Sequence, residues 1–383
     1  MAGSSENSQS PHPKSYPHAM LREIYEQPKA IRETIQHSIE GDAIFPSKLE
    51  PIEAALFAFK KIIIAASGSS RHAGLVGEII LEDLAGVPVD VEYASEYCYR
   101  SRHAGADPVV VLITQSGETA DTIAAQREAL NRGAKTVAIS NVRDSTISRE
   151  ASATLFTCAG PEQSVPATKS FTAQLAVLYL LALFLARKRG RMTSEVTRAH
   201  VGRLADVPEQ VHTYLETWNA QTLRAASSVR DAEAFIYLGR GIHYAIAREG
   251  ALKLKEISHV QAEGLPAGEL RHGPSALVAE GTPVVALATH DVSDPDSVLR
   301  HQKTLGVLEY VKSRGGHVIA VATEGDDDIS RVADQAIFVP AAPELLLPLL
   351  EVVPLQLFAY HYAVANGCDV DHPRNLVKAV VSE

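Results

Sequence analysis

The sequence predicts an α/β protein made of two tandem copies of one parallel-sheet unit, and three observations predict it. First, β-branched apolar runs such as "KIIIAA" from Lys61 and "VVVLIT" at 109–114 break at small polar residues and give way to helix formers, the pattern of strand, loop and helix. Second, the pattern repeats. Placing Gly68 on Gly241 aligns "KIIIAASGSSRHAG" with "AFIYLGRGIHYAIAREG", "DPVVVLIT" at 107–114 with "TPVVALAT" at 282–289, and "AKTVAIS" with "GHVIAVA". Third, strands alternating with helices at this spacing join through right-handed crossovers, which make a parallel sheet in each copy.

Residues 1–20, "MAGSSENSQSPHPKSYPHAM", are polar, rich in Ser, Pro and His, and lack the apolar core of a secretory signal, so they read as a disordered tail. The first α/β unit is expected over 21–190. Near its end Phe171–Ala186, "FTAQLAVLYLLALFLA", is the most apolar stretch; its sixteen residues fall short of the roughly 20 that span a bilayer and suit a buried core helix. The basic "RKRGR" behind it suits a helix C-terminus. Residues 191–230 read as connecting helices rather than as a flexible linker, 231–367 as the second unit, and 368–383 as a C-terminal tail.

The 383 residues are 46% hydrophobic and 21% charged, the composition of an ordinary globular protein with ample core. The net charge of −10 has no basic stripe that would neutralise a phosphodiester backbone, so no nucleic-acid partner is expected, and no membrane partner either. Cys98, Cys158 and Cys368 are odd in number and far apart, which gives neither a disulfide framework nor a zinc spacing and points to the reducing cytoplasm.

In open parallel sheets, ligands bind beyond the carboxyl ends of the strands, against helix N-termini that favour anions. "SGSS" at 67–70 and "TQSGET" at 114–119 fall at two such ends, and "PATKSF" at 166–171 opens the long apolar helix. Glycine lets backbone approach closely, and Ser, Thr and Gln supply hydrogen bonds. Ser and Thr are also the preferred helix N-caps, so each loop by itself reads as a cap or as a ligand loop. No stretch has the spacing of a nucleotide-binding loop and no ligand cluster has metal spacing, so the expectation is no cofactor and no metal.

Six segments, "REIYEQPKAI", "TQSGETADT", "REGALKLKEIS", "AGELRHGP", "PLQLFAYH" and "DVDHPRNLVKAV", lie in this order from about residue 20 to the C-terminus. Together they resemble the isomerase half of the glutamine:fructose-6-phosphate amidotransferases, the glucosamine-6-phosphate synthases. The resemblance implies two sugar-isomerase (SIS) domains, each a five-stranded parallel sheet flanked by helices in a flavodoxin-like three-layer sandwich. It also implies a phosphorylated amino sugar as ligand and a homodimer whose active site is shared between subunits. By it, Ser69, Ser70, Gln115, Ser116 and Thr119 hold the phosphate, while Val165, Ala167 and Val377 line the sugar. Ala167 stands where the family has a serine, Thr114 where it usually has Ser, and Arg271 where it usually has Lys.

Moving a proton between C1 and C2 of an open-chain sugar needs a base beside the carbon skeleton, and Glu256 resembles the family's carboxylate for that step. Glu249, Lys253 and Glu256 share one helical face, which from this helix alone reads first as a solvated ion-pair face and second as a catalytic one. By the resemblance, Lys253 sets the charge and position of Glu256. Ring opening needs a proton donor and acceptor near neutral pH, and His272 matches the residue that supplies it. Lys378 matches the family's Schiff-base lysine, and the apolar "NLV" and "AVV" around it are expected to carry the tail into the interior, where burial favours a neutral amine.

The synthases place a glutaminase domain before this half, with a cysteine after the initiator Met; here Ala2 follows Met1. The expected reaction is therefore the reverse one, glucosamine 6-phosphate to fructose 6-phosphate with release of ammonia. Ammonia-dependent synthesis with a separate glutaminase, deglycation of a fructosyl-amino-acid phosphate, and a non-catalytic sugar-phosphate sensor are the alternatives.

Overall fold

The computed structural model describes residues 15–59, 61–100 and 109–381. Residues 1–14 of the expected tail, Asp107 and Pro108 ahead of the "VVVLIT" strand, and the last two residues of the C-terminal tail lie outside the described residues.

Helices α1 (Ala19–Tyr25) and α2 (Gln27–Ser38) lead into a short hairpin, β1 (Ile39–Glu40) with β2 (Ala43–Ile44), and then α3 (Glu53–Ala58). The first α/β unit runs β3 (Ile62–Ala66), α4 (Gly68–Ala85), β4 (Val89–Tyr93), α5 (Ala94–Tyr97), β5 (Val109–Thr114), α6 (Ala120–Asn131), β6 (Lys135–Ser140), α7 (Thr146–Glu150), β7 (Ala153–Phe156) and α8 (Lys169–Lys188). After α9 (Ser194–Ser228) the second runs β8 (Ala234–Gly239), α10 (Ile242–Ser258), β9 (Gln261–Pro266), β10 (Pro283–Ala288), α11 (Pro295–Ser313), β11 (His317–Thr323), β12 (Gln335–Val339) and α12 (Leu347–Ala365).

Each unit holds a five-stranded, all-parallel sheet, in the orders β4-β3-β5-β6-β7 and β9-β8-β10-β11-β12. The two orders are the same, so the repeat in sequence is a repeat in topology. Strands β3, β5 and β10 are buried at every residue, which is why they read as continuous apolar runs: helices cover both faces of each sheet. One hydrophobic cluster runs through both units, from Ile64 and Ile113 across Phe171, Leu178, Trp218 and Phe358 to Val285 and Val321.

Three expectations change. The segment 191–230 is one 35-residue helix, α9, and not several. Pro208 sits inside it and removes one helical hydrogen bond, but it lies on the stripe Leu204, Val207, Val211, Leu215 and Trp218, all buried, and tertiary packing outweighs the loss. The apolar helix α8 is longer than the sixteen apolar residues suggest, twenty in all, because Lys169 and Lys188 close its ends. It and Glu344–Ala365 are long and apolar enough to cross a membrane, yet 94% and 89% of them is buried within the protein. Finally, the end of the supposed tail is docked: Met20 is fully buried and the Ala19 and Met20 amides donate to the Asp371 carboxylate, both at 2.8 Å.

Candidate functional site

The register of the first sheet places its two hydroxyl-rich loops side by side. Ala66 of β3 pairs with Ile113 of β5, so the chain leaves both strands at one level and enters α4 and α6 facing the same space. In "TQSGET" the glycine is obligatory. Gly117 has φ +71°, its N–H donates to Thr114 Oγ1 at 3.2 Å, and a Cβ there would lie 2.1 Å from Ser145 Oγ. The capping alternative does not account for these loops, since the side chains of the N-cap residues Ser67 and Thr119 accept no bond from their own helices. Thr119 Oγ1 instead lies 3.3 Å from Thr114 Oγ1, and Ser70 Oγ accepts from Gln174 Nε2 at 3.0 Å.

The second unit contributes α10, which reaches over the first. Gly250 makes this possible: a Cβ would stand 2.7 Å from Leu355 of α12 and 2.9 Å from Tyr237 of β8, so the helix seats deeply. The neighbouring Glu249 is fully buried, accepting from Ser69 Oγ at 2.8 Å and lying 2.8 Å from His72 Nδ1. Lys253, also fully buried, bridges Glu249 Oε1 at 3.5 Å and Glu256 Oε2 at 2.5 Å. The ion-pair face is thus interior rather than solvated. Burial alone would push the Lys253 ammonium down, but the Glu256 and Glu249 carboxylates outweigh it and raise its pKa. Glu256 keeps 22% of its side chain exposed and opens onto the cleft.

The C-terminal tail closes a third side. Ala120 N–H, at the start of α6, donates to the Val380 carbonyl at 2.9 Å, and Val165 N–H donates to the Asp371 carbonyl at 2.9 Å. Between these ties Lys378 Nζ lies 2.6 Å from Glu162 Oε2. The lysine therefore meets a carboxylate, not the apolar sleeve expected from its sequence neighbours. Glu162 is the anchor here. Fully enclosed, its carboxylate accepts from Thr168 N–H at 2.9 Å, Ser170 N–H at 3.1 Å and Ser170 Oγ at 2.7 Å, and so caps α8. Burial would raise its pKa, but the Lys378 ammonium and these bonds lower it. Glu162→Ala is expected to cost about 3 kcal/mol through the orphaned helix end and lysine, read as a fall of several degrees in the thermal midpoint.

Glu256, Lys253, Lys378, Ser69, Ser70, Gln115, Ser116, Thr119, Val165, Ala167 and Val377 all line one cleft of about 270 Å³. His272 does not. It is exposed at the end of the turn Ala267–His272 that follows β9, the edge strand of the second sheet. Sequence reasoning missed Glu162, His72 and Gln174. The repeat carried a signal for the first: "GPEQ" before α8 and "APEL" before α12 place Glu162 and Glu344 at equivalent points.

Residues 55–184 and 228–366 match the model of the SIS domain. The chain belongs to the SIS family. Curated relatives include the glutamine–fructose-6-phosphate aminotransferases (isomerizing) of Chlorobaculum tepidum and Methanosarcina acetivorans, each 45% identical over 96% of this chain. The chain spans 59% of the length of these relatives. Among solved structures, the C-terminal domain of glucosamine-fructose-6-phosphate aminotransferase from Francisella tularensis aligns with TM-score 0.86 at 37% identity, covering 94% of this chain and 99% of that one. Glucosamine-6-phosphate deaminase from Thermotoga maritima, 21% identical, shares the fold with TM-score 0.71 over 95% and 99% of the two chains.

The two SIS domains are unequal. Where the first has its cleft, the second is filled by an ion cluster: His243 lies 2.9 Å from Glu344 Oε1 and 2.7 Å from Glu351 Oε1, and Arg300 and Ser297 also bind Glu344. Burial would lower the His243 pKa, but the two carboxylates raise it to about 10. The charge of that cluster is therefore satisfied internally.

Proposed function

We propose that the cleft isomerises a 6-phosphorylated amino sugar and breaks its C2–N bond, converting glucosamine 6-phosphate and water to fructose 6-phosphate and ammonia. The observation that carries this reading is the convergence of Glu256, Lys378 and the hydroxyl loops on one cleft from three distant parts of the chain. The phosphate binds Ser70, Gln115, Ser116 and Thr119 at the N-termini of α4 and α6, where backbone N–H groups and the helix dipoles favour an anion. His272 of a second subunit moves the ring-opening proton. Glu256 then takes the C2 proton and returns it to C1, which turns the 2-amino aldehyde into a 2-imine. The Lys378 amine adds at C2 and expels ammonia as a Schiff base forms; water hydrolyses that base to the ketone and restores the lysine. Lys253, held by Glu249, keeps the Glu256 carboxylate in place.

Identity of 45% to glutamine–fructose-6-phosphate aminotransferases supports a second reading, in which the same residues run the sequence in the direction of amino-sugar synthesis. Purified protein should release ammonia from glucosamine 6-phosphate, with galactosamine 6-phosphate and a fructosyl-lysine phosphate as comparison substrates. Amino-sugar formation from fructose 6-phosphate and ammonium, without the reverse release at comparable substrate levels, would favour the synthetic reading. Tight binding of all three without turnover would leave only a sensor.

A further inference from the structure

We propose that His290, His301 and Asp326 form a binding site for a divalent transition cation of the zinc class at the carboxyl edge of the second sheet. One donor atom from each lies within 4.8 Å of the others. The residues come from three elements: His290 follows β10, His301 is on α11, and Asp326 follows β11. Their separation in sequence, eleven and twenty-five residues, is why no metal spacing is visible in the sequence.

The donors are set as ligands are set. His301 Nδ1 lies 2.8 Å from the Ala288 carbonyl, which can only accept, so Nδ1 carries a proton and Nε2 is the ring nitrogen turned toward the cluster. A backbone carbonyl on the far nitrogen is the usual partner of a metal-bound histidine. Nε2 faces Asp326 Oδ2 at 3.2 Å, on a side chain only 4% exposed. That separation is close to the about 3.3–3.5 Å between two ligands of a tetrahedral zinc ion, so one cation fits against both atoms in place of a proton between them. Asp326 Oδ1 is meanwhile fixed by the Asp328 and Ile329 amides at 3.0 and 3.2 Å. The His290 ring lies over His301 with centroids 4.2 Å and planes 19° apart, so this partly exposed ring turns about its side-chain bonds to share an ion with His301; its Nδ1 is buried without a partner. Its backbone is clamped on both sides by Thr323 Oγ1, at 2.8 and 3.0 Å.

Two imidazoles with one carboxylate favour a borderline cation over calcium or magnesium, which take oxygen ligands. His290 aligns in the repeat with Gln115 of the first domain's phosphate loop, so the second domain carries a cation site where the first carries an anion site. Three protein ligands leave the fourth position to water.

The test uses the full chain, stripped with a chelator, dialysed and titrated with zinc by calorimetry. One equivalent should bind with a dissociation constant in the micromolar range or tighter, and the thermal midpoint should rise with zinc. Asp326→Asn, which keeps the Oδ1 acceptor, and His290→Ala, at a partly exposed residue, should each weaken binding at least tenfold and abolish that rise, with circular dichroism confirming the fold. Zinc binding equal in wild type and both variants would place the metal elsewhere, and absence of binding to the wild type would reduce the cluster to an ion pair; either result overturns the proposal.

Discussion

Glu256→Gln is expected to lower turnover by roughly 10²-fold or more while leaving substrate affinity nearly unchanged. The amide keeps the shape of the carboxylate but cannot take the C2 proton. The variant should also fold, because Lys253 loses only one of its two anionic partners and retains Glu249 at 3.5 Å inside the protein. An uncompensated buried ammonium, the usual reason such a change fails, does not arise. Ser116→Ala makes the contrast. It removes a hydroxyl from the proposed phosphate loop, so it should raise KM several-fold with kcat little altered. Steady-state kinetics on the two purified variants distinguishes the roles, and the opposite pattern, KM moved by Glu256→Gln and kcat by Ser116→Ala, would mean that they have been exchanged.

How much of this was legible in the sequence follows from which interactions are local. Strands β3, β5 and β10 announce themselves because burial on both faces demands unbroken apolar runs, and the repeat then delivers the topology of both sheets. Ser116, Gln115 and Thr119 are legible because a strand end, a glycine and a helix start lie within six residues. Glu162 was legible only by comparing "GPEQ" with "APEL" across the repeat, for its partners are Lys378, 216 residues away, and amides of the helix it caps; a single Glu in a Pro-containing loop carries no local periodicity. The burial of Glu249 and Lys253 was hidden for a related reason. An i, i+4, i+7 pattern of charges is written identically for a wet helix face and for one pressed against another domain. The single helix α9 is not legible locally, because Pro208 within it is a helix breaker whose cost the buried stripe around it overrides.

The largest qualitative effect is expected from mixing two inactive variants. Lys378 lies in its own chain's cleft against Glu162, whereas His272 is exposed on the turn after an edge strand and lines no part of that cleft. That turn is held to the surface by Arg271, which donates to the Gly306 carbonyl at 3.3 Å and lies 4.6 Å over the Tyr310 ring, with Leu277 64% exposed beside it. One member of the proposed pair thus points inward and the other outward. In the two-fold dimer that the family resemblance implies, we propose two identical sites, each combining Lys378 of one chain with His272 of the other. His272→Ala or Lys378→Ala alone should spoil both sites of a homodimer, with turnover down about 10²-fold or more. When the two variants are unfolded and refolded together, random pairing makes about half of the dimers mixed. Each mixed dimer rebuilds one intact site and one that lacks both residues. Recovered activity should then approach about a quarter of the wild-type value. Mixed dimers confirmed by native mass measurement but without recovered activity would show that the histidine serves its own chain or takes no part in the reaction.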